Sequence, residues 1–170
     1  MIQFLVIGYN SELCTEKAYK IAYEVGKEIG KRKIVLITGG LGGVMEAASK
    51  GAKEEGGIVI GIIPSKNKEE ANRYCDIVIC TGIGYARNFI TAYSADAVII
   101  VGGGAGTLTE ASIAYLEGKP IIAIKGSGGI ADKLINDKYI DERKIVKVYE
   151  AKDPKEAVEL ALSMIKNVHK

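Results

Sequence analysis

The residues best suited to chemistry lie in the stretch 97–110, which reads AVIIVGGGAGTLTE. An apolar, β-branched strand runs into a group of glycines, and the start of a helix follows them. Glycine at 102, 103, 104 and 106 allows positive φ angles and leaves room for a ligand to touch the main chain. The first turn of the helix directs unpaired N–H groups and a positive dipole end into this loop. The stretch therefore predicts a phosphate-binding loop with a carboxylate, that of Glu110, just inside the helix.

Glu110 has two interpretations. A carboxylate beside a bound phosphate would be repelled, so its presence indicates a chemical task. Alternatively, Thr107-x-x-Glu110 is a capping box, in which Thr107 is the N-cap and Glu110 reaches back to its amide. The two roles are compatible with each other.

The composition limits the class of protein and of partner. The 170 residues, of which 48% are hydrophobic and 26% charged, suffice for one domain with a substantial core. The 23 basic and 21 acidic residues leave no charge excess for a nucleic acid polymer or an anionic membrane surface. No apolar run approaches the roughly 20 residues that span a bilayer, and the N-terminus enters a strand directly. We therefore expect a cytoplasmic protein with a small ligand.

The cysteine and histidine content argues against several chemistries. Cys14, Cys75 and Cys80 lack C-x-x-C spacing, so neither a disulfide framework nor a zinc site is expected. The single histidine, His169, lies in the C-terminal tail, so we expect chemistry without an imidazole, a metal ion or a resident cofactor. One Gln, no Trp and many Lys, Glu and Ile residues are typical of heat-adapted proteins.

Apolar runs alternate with helical stretches along the whole chain. The helical period is clear over residues 15–32 and in the last helix, which begins with Asp153, Pro154 and Glu156. The alternation predicts a single-domain, Rossmann-like three-layer α/β/α fold over residues 1–170, with a mainly parallel sheet of about seven strands. The predicted strands are residues 3–8, 34–38, 58–63, 77–80, 97–101, 121–124 and 145–148.

Small and polar residues cluster where the predicted strands end. Ligands of open parallel sheets bind beyond these ends, near the point where the strand order reverses. The charged residues 64–76 are expected to form a solvated loop, with a lid as the alternative. We expect four loops to share one crevice, and their candidate ligand-binding residues are Gly8, Asn10, Ser11, Gly39, Gly40, Gly43, Asn88, Gly103, Gly104, Ala105, Gly106 and Thr107.

Two common nucleotide motifs are missing from the sequence. Without G-x-x-x-x-G-K-[ST], ATP hydrolysis of the P-loop type has no support. The first strand–helix turn lacks G-x-G-x-x-G and no acidic residue ends the second strand, which disfavours NAD or FAD. Arg87 lies in the first turns of the predicted helix after the fourth strand, where its guanidinium could make a bidentate contact with a phosphate or a carboxylate. A surface arginine is the alternative for Arg87.

These residues resemble the Lonely Guy (LOG) family of nucleoside 5′-monophosphate phosphoribohydrolases, long labelled "possible lysine decarboxylases". The family motif P-G-G-x-G-T-x-x-E is matched by residues 103–110, after the proline. The family turn G-G-x-x-G-x-M is matched by residues 39–45, which adds Met45 to the candidate ligand-binding residues. Arg87 matches the first residue of the family's Arg-Lys pair. The resemblance extends over most of the chain.

Two departures from the LOG pattern resemble a sister branch of the same superfamily. Gly102 stands where the family has proline, and Asn88 stands where it has lysine. The sister branch contains the molybdenum cofactor carrier proteins, which bind a phosphorylated pterin without known turnover.

The resemblance implies two alternative functions. A hydrolase would cleave the N-glycosidic bond of a nucleoside monophosphate to free base and ribose 5-phosphate, with Glu110 stabilising positive charge on the sugar. Arg87 would position Glu110 or the leaving base, and Glu46 is the candidate for a second carboxylate. A carrier or sensor would hold the phosphate of a cofactor or nucleotide in the same loop. Lysine decarboxylation is disfavoured because no lysine suited to binding pyridoxal phosphate is evident. The resemblance also implies a homodimer or a larger homo-oligomer.

Overall fold

The structure is a computed structural model that describes the backbone of residues 1–168 and the side chains of residues 1–165. His169 lies outside the described residues. The strands are β1 (Gln3–Gly8), β2 (Val35–Thr38), β3 (Val59–Ile63), β4 (Ile77–Cys80), β5 (Ala97–Val101), β6 (Ile121–Ile124) and β7 (Val148–Ala151). The α-helices are α1 (Glu16–Lys31), α2 (Val44–Glu54), α3 (Arg87–Ser94), α4 (Ala105–Leu116), α5 (Gly129–Asp137) and α6 (Pro154–Val168). Short 3-10 turns cover Lys68–Glu70 and Gly84–Ala86.

The seven strands form one sheet in the order β4-β3-β2-β1-β5-β6-β7, and every neighbouring pair is parallel. The helices α1, α2 and α6 pack on one face, and α3, α4 and α5 pack on the other. The predicted three-layer α/β/α fold is therefore confirmed, with a sheet that is wholly parallel.

Burial on both faces explains why the strands read as apolar runs. In β1, Phe4 and Val6 contribute to the core on the α1 side, whereas Leu5 and Ile7 contribute to the core on the α4 side. Successive side chains of a strand point to opposite faces, so a central parallel strand must be apolar throughout. Six of the seven predicted strands accordingly lie within one residue of the observed bounds.

The prediction of the last strand, residues 145–148, is wrong, since β7 begins at Val148 and pairs there with Ile121. The preceding residues are held in a turn, in which Lys144 has φ 53° and its N–H donates to the Asp141 carbonyl at 3.3 Å. The phenol of Tyr115 fixes this turn by donating to Asp141 Oδ1 at 2.5 Å. Because this contact with α4 holds the preceding residues in a turn, β7 begins at Val148 instead of at residue 145.

Side chains at the predicted starts of the first and last helices form capping hydrogen bonds there. Thr15 is the N-cap of α1, and its Oγ1 accepts from the Ala18 N–H at 3.0 Å. At α6, Asp153 Oδ1 accepts from the Glu156 N–H at 2.8 Å. Glu156 in turn accepts from the Lys152 N–H at 2.6 Å, which completes a reciprocal cap.

Residues 64–76 are attached to the loop after β2 rather than solvated along their whole length. The N–H of Asn72 donates to the Gly40 carbonyl at 2.8 Å, and its side-chain amide donates to the Leu41 carbonyl at 3.0 Å. This segment therefore braces the loop that enters α2.

No helix in the described part of the chain has the length and apolar character needed to cross a bilayer.

The strand order reverses between β1 and β5, which are neighbours in the sheet but far apart in the sequence. Gly8 at the end of β1 pairs with Val101 at the end of β5. The chain leaves β1 towards α1 on one face and leaves β5 towards α4 on the other. The two departing loops leave a crevice between them, which is where open parallel sheets bind ligands.

Candidate functional site

Two glycines of the loop between β5 and α4 are required by the fold itself. Gly102 has φ 64° and Gly103 has φ 102°, a region that side chains other than hydrogen disfavour. A Cβ atom on Gly102 would lie 2.2 Å from the ring of Tyr9, and one on Gly103 would lie 2.3 Å from Oγ1 of Thr107. The predicted positive φ angles are confirmed at these two positions.

Gly104 and Gly106 differ from their neighbours, because neither uses the positive φ angles that glycine allows. Gly104 has φ −130°, and Gly106 lies within α4 without a positive φ. A Cβ atom on either residue would meet nothing within 4 Å. Gly104 occupies the N-cap position, which favours glycine, whereas neither backbone conformation nor packing explains glycine at 106. Glycine within a helix costs about 0.5–1 kcal/mol relative to alanine. The open space above both residues would let a ligand approach the main chain.

The first turn of α4 presents N–H groups to this space. The helix begins at Ala105 with Gly104 as its N-cap, and the Leu108 N–H donates to the Gly104 carbonyl at 3.0 Å. The N–H groups of Ala105, Gly106 and Thr107 therefore precede the helical ladder. Ala105 and Gly106 are exposed, so this helix start can accept an anion.

The capping-box interpretation of Thr107 and Glu110 is wrong. Because Gly104 takes the N-cap position, Thr107 is the third helical residue and Glu110 lies deeper in the helix. Thr107 Oγ1 accepts from the Gly104 N–H at 3.3 Å and donates to the Gly8 carbonyl at 3.0 Å. The hydroxyl thus ties α4 to the end of β1, and the carboxyl of Glu110 is left for another contact.

Glu110 is a buried carboxyl that faces α3. It is 7% exposed, and Oγ1 of Thr91 donates to its Oε2 at 2.6 Å. Burial raises the pKa of Glu110 to about 7, although the bond from Thr91 and the charge of Arg87 act in the opposite direction. A carboxyl that titrates near neutral pH can serve as an acid or a base.

Arg87 is buried at the start of α3, so the alternative of a surface arginine is wrong. It is 8% exposed, and burial lowers its pKa while the charge of Glu110 raises it. Nη2 donates to the Gly39 carbonyl at 3.2 Å, Nη1 donates to Oδ1 of Asn88, and Nε is buried without a partner. Within the described side chains Arg87 forms no ion pair with a carboxylate. A buried cation in this state favours an anionic ligand.

The loop after β2 folds around Arg87. A Cβ atom on Gly39 would lie 2.6 Å from both Nη2 of Arg87 and Sδ of Met45. Gly40 and Gly43 have φ angles of 75° and 68°. The structure therefore brings Gly39 and Met45 together with Arg87, whereas Gly40 packs against Gly61 and Ile63 and Gly43 packs against Tyr9 and Asn10.

The candidate residues after β1 play different parts. Gly8 fits closely against β5, because an added Cβ would lie 2.0 Å from the Val101 carbonyl oxygen. The Asn10 side chain turns the chain by accepting from the N–H groups of Glu12 and Leu13 at 3.1 and 3.2 Å. Asn10 is thus occupied within its own loop.

Ser11 lies on an open groove of about 590 Å³ beside α1 and α2. The groove is lined by Ser11, Cys14, Thr15, Glu16, Tyr19, Lys20, Tyr23, Gly43 and Lys50. Neither Arg87 nor Glu110 lines this groove.

A fifth loop, between β6 and α5, supports the site and was missed by sequence reasoning. Ser127 Oγ accepts from the Gly102 N–H at 2.9 Å. The N–H groups of Ala131 and Ile130 donate to the carbonyls of Gly102 and Gly103 at 3.1 and 3.0 Å. The glycine-rich run KGSGGIAD at the end of a strand was the signal that could have revealed this loop.

Lys119 holds the helix that carries Arg87 and Thr91. Its ammonium donates to the carbonyls of Ala92, Tyr93 and Ala95 at 2.8, 2.7 and 2.6 Å. A cation at a helix C-terminus satisfies the last carbonyls and opposes the helix dipole. The position of α3 is therefore fixed at its far end.

Known proteins of two kinds are similar to this chain. An uncharacterized protein of Archaeoglobus fulgidus is 50% identical over 125 residues, which cover 74% of this chain and 81% of that protein. The cytokinin riboside 5′-monophosphate phosphoribohydrolase of Mycobacterium tuberculosis is 35% identical over 115 residues, which cover 62% of this chain. The match spans 61% of the mycobacterial enzyme, less than two thirds of its length.

The solved structure of the molybdenum cofactor binding protein from the phototrophic bacterium Rippkaea orientalis superposes with a TM-score of 0.85. The two chains are 37% identical, and the match covers 96% of this chain and 97% of the other. The resemblance to LOG proteins and to their sister branch is thus confirmed. A family model described as the SLOG cluster4 family matches residues 1–158, and with that match the chain belongs to the SLOG cluster4 family.

Proposed function

We propose that this protein binds a phosphorylated, nucleotide-like small molecule between β1 and β5, and that it hydrolyses nucleoside 5′-monophosphates to free base and ribose 5-phosphate. The observation that carries the proposal is the open space above Gly104 and Gly106, beside the N–H groups that begin α4. The buried, unpaired guanidinium of Arg87 supports an anionic ligand.

The phosphate would lie at the first turn of α4. The main-chain N–H groups of Ala105, Gly106 and Thr107 would donate to its oxygens, and the helix dipole would add to the attraction. The Thr107 hydroxyl is already bonded to Gly8 and Gly104. Thr107 would therefore bind through its main chain rather than through its hydroxyl.

Glu110 and Arg87 would act on the glycosidic bond. As that bond breaks, its electron pair goes to the base, which takes up a proton, and the ribose becomes positively charged. Water then adds to the sugar carbon and releases a proton, so that the net reaction consumes one water. A preorganised carboxylate at Glu110 would stabilise the charge on the sugar. With a pKa of about 7, the same group is also present in its acid form, which could protonate the leaving base. Arg87 would hold the base or orient Glu110.

Glu46 is not assigned the role of a second carboxylate in this proposal. It lies on α2, which packs on the opposite face of the sheet from α4 and Glu110. The proposed hydrolysis therefore depends on one carboxyl group, unlike the paired carboxylates of ordinary glycosidases.

A carrier or sensor of a phosphorylated cofactor is the second candidate function. Asn88 favours it, because this buried side chain accepts from Arg87 where a LOG protein would place a lysine ammonium. The similarity to a molybdenum cofactor binding protein over nearly the whole chain supports the same alternative. The phosphate of a pterin-type cofactor would then occupy the start of α4, and Glu110 would accept hydrogen bonds from the ligand.

We also propose that the protein is a homodimer or a larger homo-oligomer. Tyr85, Phe89 and Tyr93 are 90%, 48% and 54% exposed, and the rings of Phe89 and Tyr93 lie 5.9 Å apart. Exposed aromatic clusters of this kind mark interaction surfaces. Since the same helix carries Arg87, a second copy packed here would border the crevice.

Incubation of the purified protein with a panel of nucleoside 5′-monophosphates tests the proposed function. Free base and ribose 5-phosphate are followed by chromatography, with Glu110→Gln as the test variant and exposed Glu117→Gln as the matched control on α4. Release that is lost only in Glu110→Gln supports the hydrolase. The absence of release, together with a phosphate compound recovered from the denatured protein, would instead support the carrier.

A further inference from the structure

Glu110 depends on α3 for its orientation. Oγ1 of Thr91 lies 2.6 Å from Oε2 of Glu110, and Thr91 is fully buried. Among the described side chains, no other hydrogen bond or ion pair reaches this carboxyl group. The contact therefore sets where the carboxyl points.

The two oxygens of Glu110 have different surroundings. Oε2 is bonded to Thr91, whereas Oε1 has no hydrogen-bond partner among the described residues. Among the described residues, Arg87 Nε is the one side-chain nitrogen or oxygen atom that has neither contact with solvent nor a hydrogen-bond partner. Since Oε1 also lacks a partner but is not sealed, it keeps some contact with solvent.

The Thr91 hydroxyl can hold Glu110 in either protonation state, because a hydroxyl both donates and accepts. When Glu110 is ionised, Thr91 donates to Oε2, and 2.6 Å is the usual length of such a charge-assisted bond. When Glu110 is protonated, it can donate to Thr91 Oγ1, whose hydrogen then turns to the Asn88 carbonyl at 3.0 Å. The carboxyl is thus retained in place while its charge changes.

We propose that Thr91 is the positioning residue for Glu110, fixing Oε2 so that Oε1 faces the reacting atoms of the ligand. This proposal rests on the hydrolase function proposed above. Thr91 acts through Glu110 and does not touch the ligand. Thr91 and Arg87 are four residues apart on α3, so one face of that helix supplies both the hydroxyl and the cation.

The test compares Thr91→Val, which removes the hydroxyl at similar volume, with Thr91→Ser, which retains it. Ser94→Ala is the matched control, because Ser94 also lies on α3 and its hydroxyl donates to the Ile90 carbonyl at 2.6 Å. Glu110 is titrated by NMR with ¹³C-labelled glutamate and assigned by its absence in Glu110→Gln. Steady-state kcat and KM are measured with a nucleoside monophosphate.

In Thr91→Val we expect the pKa of Glu110 to rise, because the bond that favours its ionised form is lost; Arg87 is the other charged group acting on it. We expect kcat to fall roughly ten- to hundredfold, as for loss of a charge-assisted hydrogen bond, with KM within about threefold. Thr91→Ser should restore both values, and Ser94→Ala should change neither. Thr91→Ala replaces the valine variant if that protein does not fold.

An unchanged titration of Glu110 in Thr91→Val would overturn the proposal, as would a serine variant that restores neither value. A loss of kcat of equal size in Ser94→Ala would also overturn it, because the effect would then be a general one on α3. The titration requires no turnover. An inactive wild-type protein would therefore refute the hydrolase, and the titration would still decide whether Thr91 holds Glu110.

Discussion

The hydroxyl of Thr107 donates to the main-chain carbonyl of Gly8 at 3.0 Å, across 99 residues of sequence. This bond joins the first turn of α4 to the end of β1, at the point where the strand order reverses. The first turn of α4, where we propose that phosphate binds, is therefore fixed against the sheet by the protein itself. A ligand that binds there pays little for ordering the loop, since the loop is already in place.

Gly106→Ala should separate ligand binding from stability. A Cβ atom at Gly106 meets no protein atom, and alanine is the better helix former, so the free energy of unfolding should rise by about 0.5–1 kcal/mol. The methyl group would occupy the space assigned to the phosphate, so affinity for a nucleoside monophosphate should fall at least about tenfold. Urea unfolding and isothermal titration calorimetry measure the two effects.

Gly103→Ala is the comparison for that variant, because its φ is 102° and its Cβ would collide with Thr107. We expect it to lose about 2 kcal/mol or more of stability. Unaltered ligand affinity in Gly106→Ala would show that the phosphate lies elsewhere.

Glu110→Gln should alter how stability depends on pH. Burial raises the pKa of Glu110 to about 7 from 4.5, so the folded protein binds this proton more tightly than the unfolded chain does. The resulting stability is fully present below about pH 4.5 and is lost as the pH rises through 7. Between these limits, the stability of the wild type should fall relative to Glu110→Gln by roughly 3 kcal/mol.

Urea unfolding of both proteins between about pH 4.5 and 8 measures this difference. Glu117→Gln, on the exposed end of the same helix, serves as the control. If the difference in free energy of unfolding between wild type and Glu110→Gln stays constant with pH, Glu110 does not have a raised pKa in the folded protein.

Arg87→Met should weaken anion binding without weakening the fold. The guanidinium is buried without an ion pair, so the cost of its desolvation offsets its bonds to Gly39 and Asn88. We expect stability to change by less than about 1 kcal/mol and the affinity for a nucleoside monophosphate to fall at least about tenfold. Calorimetry with Arg143→Met, at an exposed arginine, gives the control; equal affinity in the two variants would remove Arg87 from the ligand site.

Phe89→Glu should dissociate the proposed homo-oligomer. A carboxylate placed between two copies of the exposed aromatic cluster would be desolvated without a partner, so association should be lost. Light scattering coupled to size-exclusion chromatography gives the mass of the wild type and the variant. Tyr149→Glu, at the β7 edge of the sheet, is the comparison. Dissociation in that variant alone would place the interface at the β7 edge rather than at the aromatic cluster.

The sequence predicts the central strands well because burial on both faces makes each of them a continuous apolar run. It predicts the β7 start poorly because the preceding turn depends on Tyr115, which lies on a distant helix. The convergence of the loops after β1, β2 and β5 follows from the parallel topology alone. The fold and the meeting of these loops at one edge of the sheet are therefore predictable from the sequence.

The functions of individual site residues are less accessible. Four glycines within five residues look alike in the sequence, yet their environments differ. Gly102 and Gly103 are required by positive φ angles and close packing, whereas a Cβ atom on Gly104 or Gly106 would meet no protein atom within 4 Å. The partner of Glu110 could not be foreseen, because Thr91 meets it only when α3 and α4 pack together. Such roles arise from tertiary contacts, which local motifs do not encode.

The bonds that α5 makes to Gly102 and Gly103 have a consequence for ligand selection. The N–H groups of Ile130 and Ala131 are already donated to those two carbonyls, so this second glycine-rich helix start has little left to offer an anion. The first turn of α4 keeps the N–H groups of Ala105, Gly106 and Thr107, whereas the first turn of α5 has donated two of its N–H groups to the neighbouring loop. We therefore expect the proposed site to favour a phosphate monoester, because the second phosphate of a diphosphate would meet a helix start with fewer free donors.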